Sequence, residues 1–284
     1  MKILVLGAGG MAGHVIAIYL KQKGHDVTGL VRRPVDYVPY IIGDVNDIKE
    51  LSGLIKKNRY DAVINAIGIL NKAVDAKLSE GIFINSYLPH VLAEITRFTN
   101  TKIVHLSTDC VFSGQEGNYM EDSFKDADSF YGRSKALGEI VDEKNITLRT
   151  SIVGPDLNKE GIGLFHWFMS QKDIVTGYKK AIWTGVTTIV LAKAIEATLE
   201  QNITGLYQLV NNQTINKYEL LKLFNSLRKE PINILEGDSL TVNKSLISSR
   251  EDFNFNVPSY ESMVEEMKVW IKEHKELYPW YECI

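Results

Sequence analysis

Cysteine is nearly absent: the 284 residues contain 2, Cys110 and Cys283. No disulfide framework is expected from so few, and a reducing, cytoplasmic setting is the default. Neither sign of charge is in large surplus, since 32 lysines and arginines face 35 acids for a net charge of -3. That balance leaves no broad positive field for a nucleic acid polymer. Long apolar runs are missing too. The opening MKILVLGAG leads from one lysine into glycines with no small-residue cleavage pattern, and no stretch reaches membrane-spanning length. The apolar opening reads as a first strand, and no membrane partner is expected. No metal-ligand spacing is visible, so no metal site is expected. What is present is core-forming material, 45% hydrophobic against 24% charged. It suffices for one large α/β unit, or for a principal domain with a smaller companion.

The first strand runs from Lys2 to Leu6, and Gly7-Ala8-Gly9-Gly10-Met11-Ala12-Gly13 leads from it into an apolar helix. Gly7, Gly10 and Gly13 have the spacing of a loop that turns sharply, admits a pyrophosphate to the backbone and packs helix on sheet, with Gly9 as an added flexible position. Helix amides near Met11 then face the phosphates. His14 is read as a surface or packing residue of the first turn. The second strand, Asp26 to Val31, ends in Arg32 and Arg33 where an acid would receive the ribose hydroxyls of NAD. Two guanidinium groups there suit a 2′-phosphate and favour NADPH/NADP, the alternative being a solvated basic turn. Asp44 and Val45 are candidates to line the adenine, although Asp44 also suits a local backbone cap. Ala66 and Gly68, in the exit NAIG of the next strand, bring backbone close to the cofactor. Asn85 is either a local polar anchor or part of a network behind Lys135, and Pro89 kinks its helix or starts a new one.

The stretch TKIVHLSTDCVFSG, from Thr101, begins as a buried strand and exits through Ser107, Thr108 and Asp109. YGRSKALGEIVDE then reads as a helix from about Tyr131, with Lys135 one turn on and on the same face. A phenol beside an ammonium is a proton donor whose phenolate the cation favours, and the Thr108 hydroxyl can hold the same substrate oxygen. The alternative is a packed tyrosine and a solvated lysine. Repeated strand and helix units predict a mostly parallel, doubly wound sheet. Its C-terminal edge would bring the glycine loop and the Thr108 and Tyr131 exits into one crevice.

GAGGMAG, NAIG, STDCVFSG, YGRSKALGE and LRTS together resemble the extended short-chain dehydrogenase/reductase family, and more closely its dTDP-4-dehydrorhamnose reductase-like branch. The resemblance is strongest over residues 1–154. It implies an α/β, Rossmann-type NADP-binding core over residues 1–154, with later segments returning to it. Residues 155–284 would mainly form a smaller C-terminal substrate-binding lobe and helices. It implies a nucleotide-sugar substrate whose 4-keto group is reduced with NADPH, with Thr108, Tyr131 and Lys135 as the catalytic set. Tyr131 and Lys135 also border the cofactor, and Asn85 supports the site. Cys110 and Ile152 stand where the branch often has aromatics near the sugar, which opens room for an N-acetylated UDP-sugar. Asp109 either contacts substrate or shapes a turn.

Beyond Gly154 the alternation of strands and helices breaks down. Trp183 and Thr187 either border the sugar pocket or pack, and Lys179 and Lys180 either approach a diphosphate or sit in a solvated turn. A strand is expected at Leu206 to Val210, with helices at Lys217 to Leu227 and from about Tyr260 to Lys275. Trp280 and Tyr281 close an apolar edge or meet another subunit, so a homodimer is an open expectation. Two other readings stay beside the reductase. One is an epimerase or dehydratase on the same fold, and the other a noncatalytic NADP-binding regulatory subunit.

Overall fold

The computed structural model describes residues 1–281 and 284, so Cys283 lies outside them. Its centre is a seven-stranded sheet. Six of the strands are β1 (Lys2–Leu6), β2 (Asp26–Val31), β3 (Tyr40–Ile42), β4 (Ala62–Asn65), β5 (Lys102–Ser107) and β6 (Ile146–Arg149). The seventh, Gly205–Gln208, joins at the edge of β6, and the order across the sheet is Gly205–Gln208, β6, β5, β4, β1, β2, β3. Every neighbouring pair is parallel. The sequence order reverses beside β1, and in such sheets ligands bind outside the carboxyl ends of the strands at that reversal.

The central strands are mostly apolar because both faces are covered, as parallel sheets require. Alternate residues part between two cores: Ile3, Val5, Ala62, Ile64 and Val104 face one, and Leu4, Leu6, Val63 and Ile103 face the other. Each large side chain buried there contributes about 1.5–3 kcal/mol. The first core packs under the helix α1 (Met11–Gln22) and the helix Thr188–Glu200, which lie against each other. The strand Gly205–Gln208 and the helix Thr188–Glu200 thus lie in and on the main sheet.

The rest of the later chain builds small sheets around one end. Ile152–Val153 pairs with Val186–Thr187, Val175–Tyr178 with Ile234–Gly237, and Ala181–Trp183 with both Ile215–Asn216 and Val242–Asn243. The helices fall at Lys217–Asn225 and Tyr260–Glu273, close to expectation. One boundary differs. The helix carrying Tyr131 spans only Phe130–Leu137, although the sequence suggested a longer run through Glu143. A side chain at Gly138 would strike the Asn85 carbonyl, and beyond it Glu139 turns inward to meet Arg149. Pro89 opens a new segment, standing in the first turn of the helix Leu88–Thr96.

Candidate active site

The glycine loop leaves β1 with its backbone pinned at both ends: Gly7 donates to the Leu30 carbonyl at 3.1 Å, and Gly10 to the Gly7 carbonyl at 2.9 Å. Gly7 has φ of +80, and a side chain on Gly13 would collide with that same Gly7 carbonyl. Helix and strand thus approach to backbone distance, and the first amides of α1 have no intrahelical acceptor. His14 is a packing residue, fully buried, and burial pushes its pKa down to about 4. Its Nδ1–H donates to the Gly10 carbonyl at 2.9 Å, while Nε2 accepts from the Tyr278 hydroxyl at 2.6 Å. Tyr278 in turn accepts from the Trp270 indole at 3.0 Å. On the other flank Tyr37 donates to the Ala8 carbonyl at 2.8 Å.

Gly9, Gly10, Arg32, Arg33 and Gly68 are exposed around this edge, and Met11 and Ala66 are half-buried. Neither arginine has an ion-pair partner among the described residues. A dinucleotide fits here: unpaired helix amides, a loop with no side chain in the way, and two free cations past β2. Asp44 is engaged locally, accepting from the Asn46 amide at 2.9 Å and its side chain at 2.6 Å. Val45 is buried in the core that holds Leu30 and Leu51.

At the end of β5 the backbone turns through Asp109–Val111, and Thr108 caps that turn. Its hydroxyl accepts from the Cys110 amide at 3.2 Å and donates to Asp109 Oδ1 at 3.1 Å. Ser129 caps the next helix by accepting from the Gly132 amide at 3.1 Å. That helix carries Tyr131 and Lys135, exposed by only 8% and 4%. Both are therefore buried, which disposes of a solvated surface lysine. Burial raises the Tyr131 pKa, with the Thr108 hydroxyl partly opposing. This departs from the expected depression by the neighbouring cation, because burial is the largest influence on the phenol and raises it. The Lys135 ammonium donates to the Leu106 carbonyl at 2.6 Å and lies 3.4 Å from His105 Nε2. Burial pushes the Lys135 pKa down to about 8.

Asn85 lies in a π-helical turn, Phe83–Tyr87, a local irregularity often found at functional sites. Its amide pairs with both backbone groups of Ile69 at 2.9 Å and reaches Ser134 Oγ at 3.1 Å. Asn85 therefore braces the Tyr131 helix against the β4 exit; the side chain behind Lys135 is His105.

Facing this end is a wall from the later chain. Trp183 is buried, with its indole donating to Ser151 Oγ at 2.8 Å. Lys217 holds its ammonium 5.3 Å from the centre of that ring. Burial lowers the Lys217 pKa, and Asp109 and Cys110 oppose the shift. Asp109 is itself buried and its pKa raised, while the Cys110 thiol is pushed up to about 12 by burial, which leaves it inert as a nucleophile. Ile152 is half-buried in its short strand. Thr187 caps the helix Thr188–Glu200, Lys179 pairs with Glu236 in solvent, and Tyr281 is buried with its hydroxyl accepting from the Asp156 amide at 3.0 Å. Trp280 packs against the same core, so this pair closes an apolar edge within the chain.

Three groups escaped the sequence reading: His105, Lys217, and the Glu139 to Arg149 pair. For His105 a signal was present, a titratable residue inside the apolar run IVHLS, where solvent cannot be its partner. Lys217 gave none, since it meets Trp183 only through tertiary packing. Glu139 receives two bonds from Arg149 at 2.8 Å, one from Ser107 at 2.7 Å and one from Lys125 at 3.1 Å.

Fold and site together define a doubly wound, dinucleotide-binding type of protein with a buried tyrosine and lysine at its ligand edge. A family model described as RmlD substrate binding domain matches residues 1–237, and the chain belongs to that family. It is 30% identical over 158 residues to the spore coat polysaccharide biosynthesis protein SpsK of Bacillus subtilis, covering 54% of this chain and 53% of that one. It is 34% identical over 145 residues to a dTDP-4-dehydrorhamnose reductase of Burkholderia thailandensis, covering 50% and 45%. The chain thus spans about half the length of these curated relatives. A match to the dTDP-4-dehydrorhamnose reductase of Salmonella typhimurium runs further, 27% identical over 82% of this chain and 81% of the relative. Among solved structures, a hypothetical dTDP-4-dehydrorhamnose reductase from Sulfolobus tokodaii superposes with a TM-score of 0.78 at 25% identity, covering 93% of this chain and 99% of that one. A Bacillus anthracis dTDP-4-dehydrorhamnose reductase in complex with NADP gives 0.79 at 18% identity, covering 95% and 100%, and supports the fold.

Proposed function

We propose that the protein is an NADPH-dependent reductase of a nucleotide-linked ketosugar, acting on the 4-keto group of a nucleoside-diphosphate 6-deoxysugar. The observation that carries this reading is the burial of Tyr131 and Lys135 on one helix, beside Thr108 and on the ligand edge that carries the glycine loop. Gly7, Gly9, Gly10, Met11 and Gly13 would hold the cofactor's pyrophosphate. Arg32 and Arg33 would hold the 2′-phosphate, and Ala66, Gly68 and Lys135 the nicotinamide end. When bound, the reduced cofactor supplies the hydride. Tyr131, a phenol protonated at neutral pH and held more firmly so by burial, gives its phenolic proton to the oxygen that becomes the alcohol. Thr108 turns its hydroxyl from Asp109 to that oxygen and orients it. The ammonium of Lys135 then supports the phenolate left on Tyr131.

The leading substrate is dTDP-4-dehydro-L-rhamnose, giving dTDP-L-rhamnose, as the names of several relatives suggest. A UDP-linked N-acetylated 4-keto-6-deoxysugar is the second reading, favoured by the small thiol of Cys110 and the aliphatic Ile152 at the edge of the site. The deciding experiment is NADPH oxidation with both ketosugars under matched conditions, compared by kcat/KM, followed by identification of the product. Turnover of the first at least about 10-fold more efficiently is the expected result, and the reverse preference reassigns the sugar. Bound cofactor with no oxidation across a wide ketosugar panel would remove the reductase reading and leave a regulatory subunit; sugar conversion without net oxidation would point to an epimerase.

A further inference from the structure

His105 is a fully buried imidazole whose two nitrogens both meet nitrogen atoms. Nδ1 lies 3.2 Å from Asn65 Nδ2, and Nε2 lies 3.4 Å from Lys135 Nζ. A neutral imidazole carries one proton, so it can accept at one nitrogen only. The orientation of Asn65 decides which. Its Oδ1 accepts from the Ile67 amide at 3.3 Å, which leaves its NH2 group facing His105 and makes Nδ1 the acceptor. With Asn65 in that orientation the ring proton falls on Nε2 and points at Lys135. Burial together with the nearby cation lowers the imidazole's pKa well below its ordinary value and so favours the neutral ring.

We propose that His105 is a positioning residue that makes Lys135 a ready proton donor, by presenting an N–H where the ammonium would want an acceptor. The N–H is repelled by the ammonium and welcomed by the lone pair of the neutral amine. This rests on the reading of Tyr131 as proton donor, since Tyr131 must be recharged after each turnover. In that step a phenolic O–H bond forms as an N–H bond of Lys135 breaks. The amine left behind takes the Nε2–H hydrogen bond until solvent returns its proton. The groups around Lys135 oppose or permit this as follows. Leu106 offers a carbonyl, which suits both forms, and Tyr131 shares its helix. Glu139, one turn on, favours the ammonium, but its carboxylate is taken by Arg149 and Lys125. His90 lies close enough to disfavour charge on His105.

The test needs no sugar substrate, so it fails or succeeds apart from the reductase reading. Ring nitrogens of the 15N-histidine-labelled full chain are recorded by NMR, with His105 assigned by its loss in His105→Gln. An Nε2–H tautomer is expected, and an Nδ1–H tautomer overturns the proposal. Lysine 13Cε resonances then report the titration of Lys135, assigned by its loss in Lys135→Met. The Asn65→Leu variant keeps the imidazole and adds no charge but removes the donor at Nδ1, letting the ring proton move there and turning Nε2 toward the ammonium as an acceptor. Its Lys135 midpoint should rise by about one pH unit, a tenfold gain in proton affinity. His105→Gln, whose amide oxygen can rotate to the ammonium, should move it the same way. Midpoints equal to wild type in both folded variants would reduce His105 to core packing.

Discussion

The two halves of the ligand edge hold their chemistry by opposite means. At the glycine loop the candidate groups are backbone amides and exposed cations, and the loop would work because side chains are missing from it. At the Thr108 to Lys135 end the functional groups are buried side chains, and burial itself moves their proton affinities, up for Tyr131 and down for Lys135. A ligand that must be gripped needs shape and free donors; a group that must exchange a proton needs a controlled environment. Substitutions should therefore fail differently at the two ends, the loop through added bulk and the buried end through lost atoms.

The largest effect is expected at the buried end. Tyr131→Phe keeps the ring and its packing but removes the acid, and should lower kcat by about 10²–10⁴-fold while the NADPH dissociation constant stays near wild type. Near-normal turnover of the true substrate would take Tyr131 out of the acid role. Beneath it, Arg149→Met strands the buried charge of Glu139 and should cost about 3–5 kcal/mol in denaturant unfolding. The pH dependence of that loss follows from the direction of the Glu139 shift. Its folded pKa lies below the ordinary 4.5, so the pair contributes fully above that value and its contribution fades as pH falls through the folded pKa. Wild type and variant should converge in acid, and a gap that persists there would assign the loss to packing.

At the loop, Gly13→Val should weaken NADPH binding by about 10-fold or more through backbone displacement, since the new side chain meets the Gly7 carbonyl. Titration of cofactor fluorescence measures it, and unchanged affinity would mean the loop can shift without loss. Arg32→Ala with Arg33→Ala should weaken NADPH by about 10-fold and NADH hardly at all, because only NADPH carries the 2′-phosphate. Equal losses would show a nonspecific field. Thr108→Val should have the smallest effect, about 10-fold in kcat, because orientation suffers while the acid remains; normal turnover would leave Thr108 a turn cap only.

The sequence exposed what is local. Short continuous apolar runs predicted the central strands, and the glycines between β1 and α1 announced the loop, because spacing along a chain fixes these. The one-turn separation of Tyr131 and Lys135 was equally legible. Partnerships made across the fold were not. His105 meets Lys135 from a neighbouring strand, Lys217 meets Trp183 from the start of the helix Lys217–Asn225, and Arg149 reaches Glu139 only because a helix stops at Leu137. That stop comes from Gly138 lying against the Asn85 carbonyl, a contact no propensity reports. The direction of the Tyr131 shift escaped for the same reason, since burial is a property of the packed state.

The bond from His14 to Tyr278 joins residues 264 positions apart. The turn that carries His14 therefore depends on a distant segment for part of its packing. Until Tyr278 arrives, the Gly10 carbonyl lacks the imidazole that Tyr278 orients, and the phosphate cradle is open to fluctuation. A bound dinucleotide and a docked Tyr278 segment would then favour each other, each adding to the stability of the other's site.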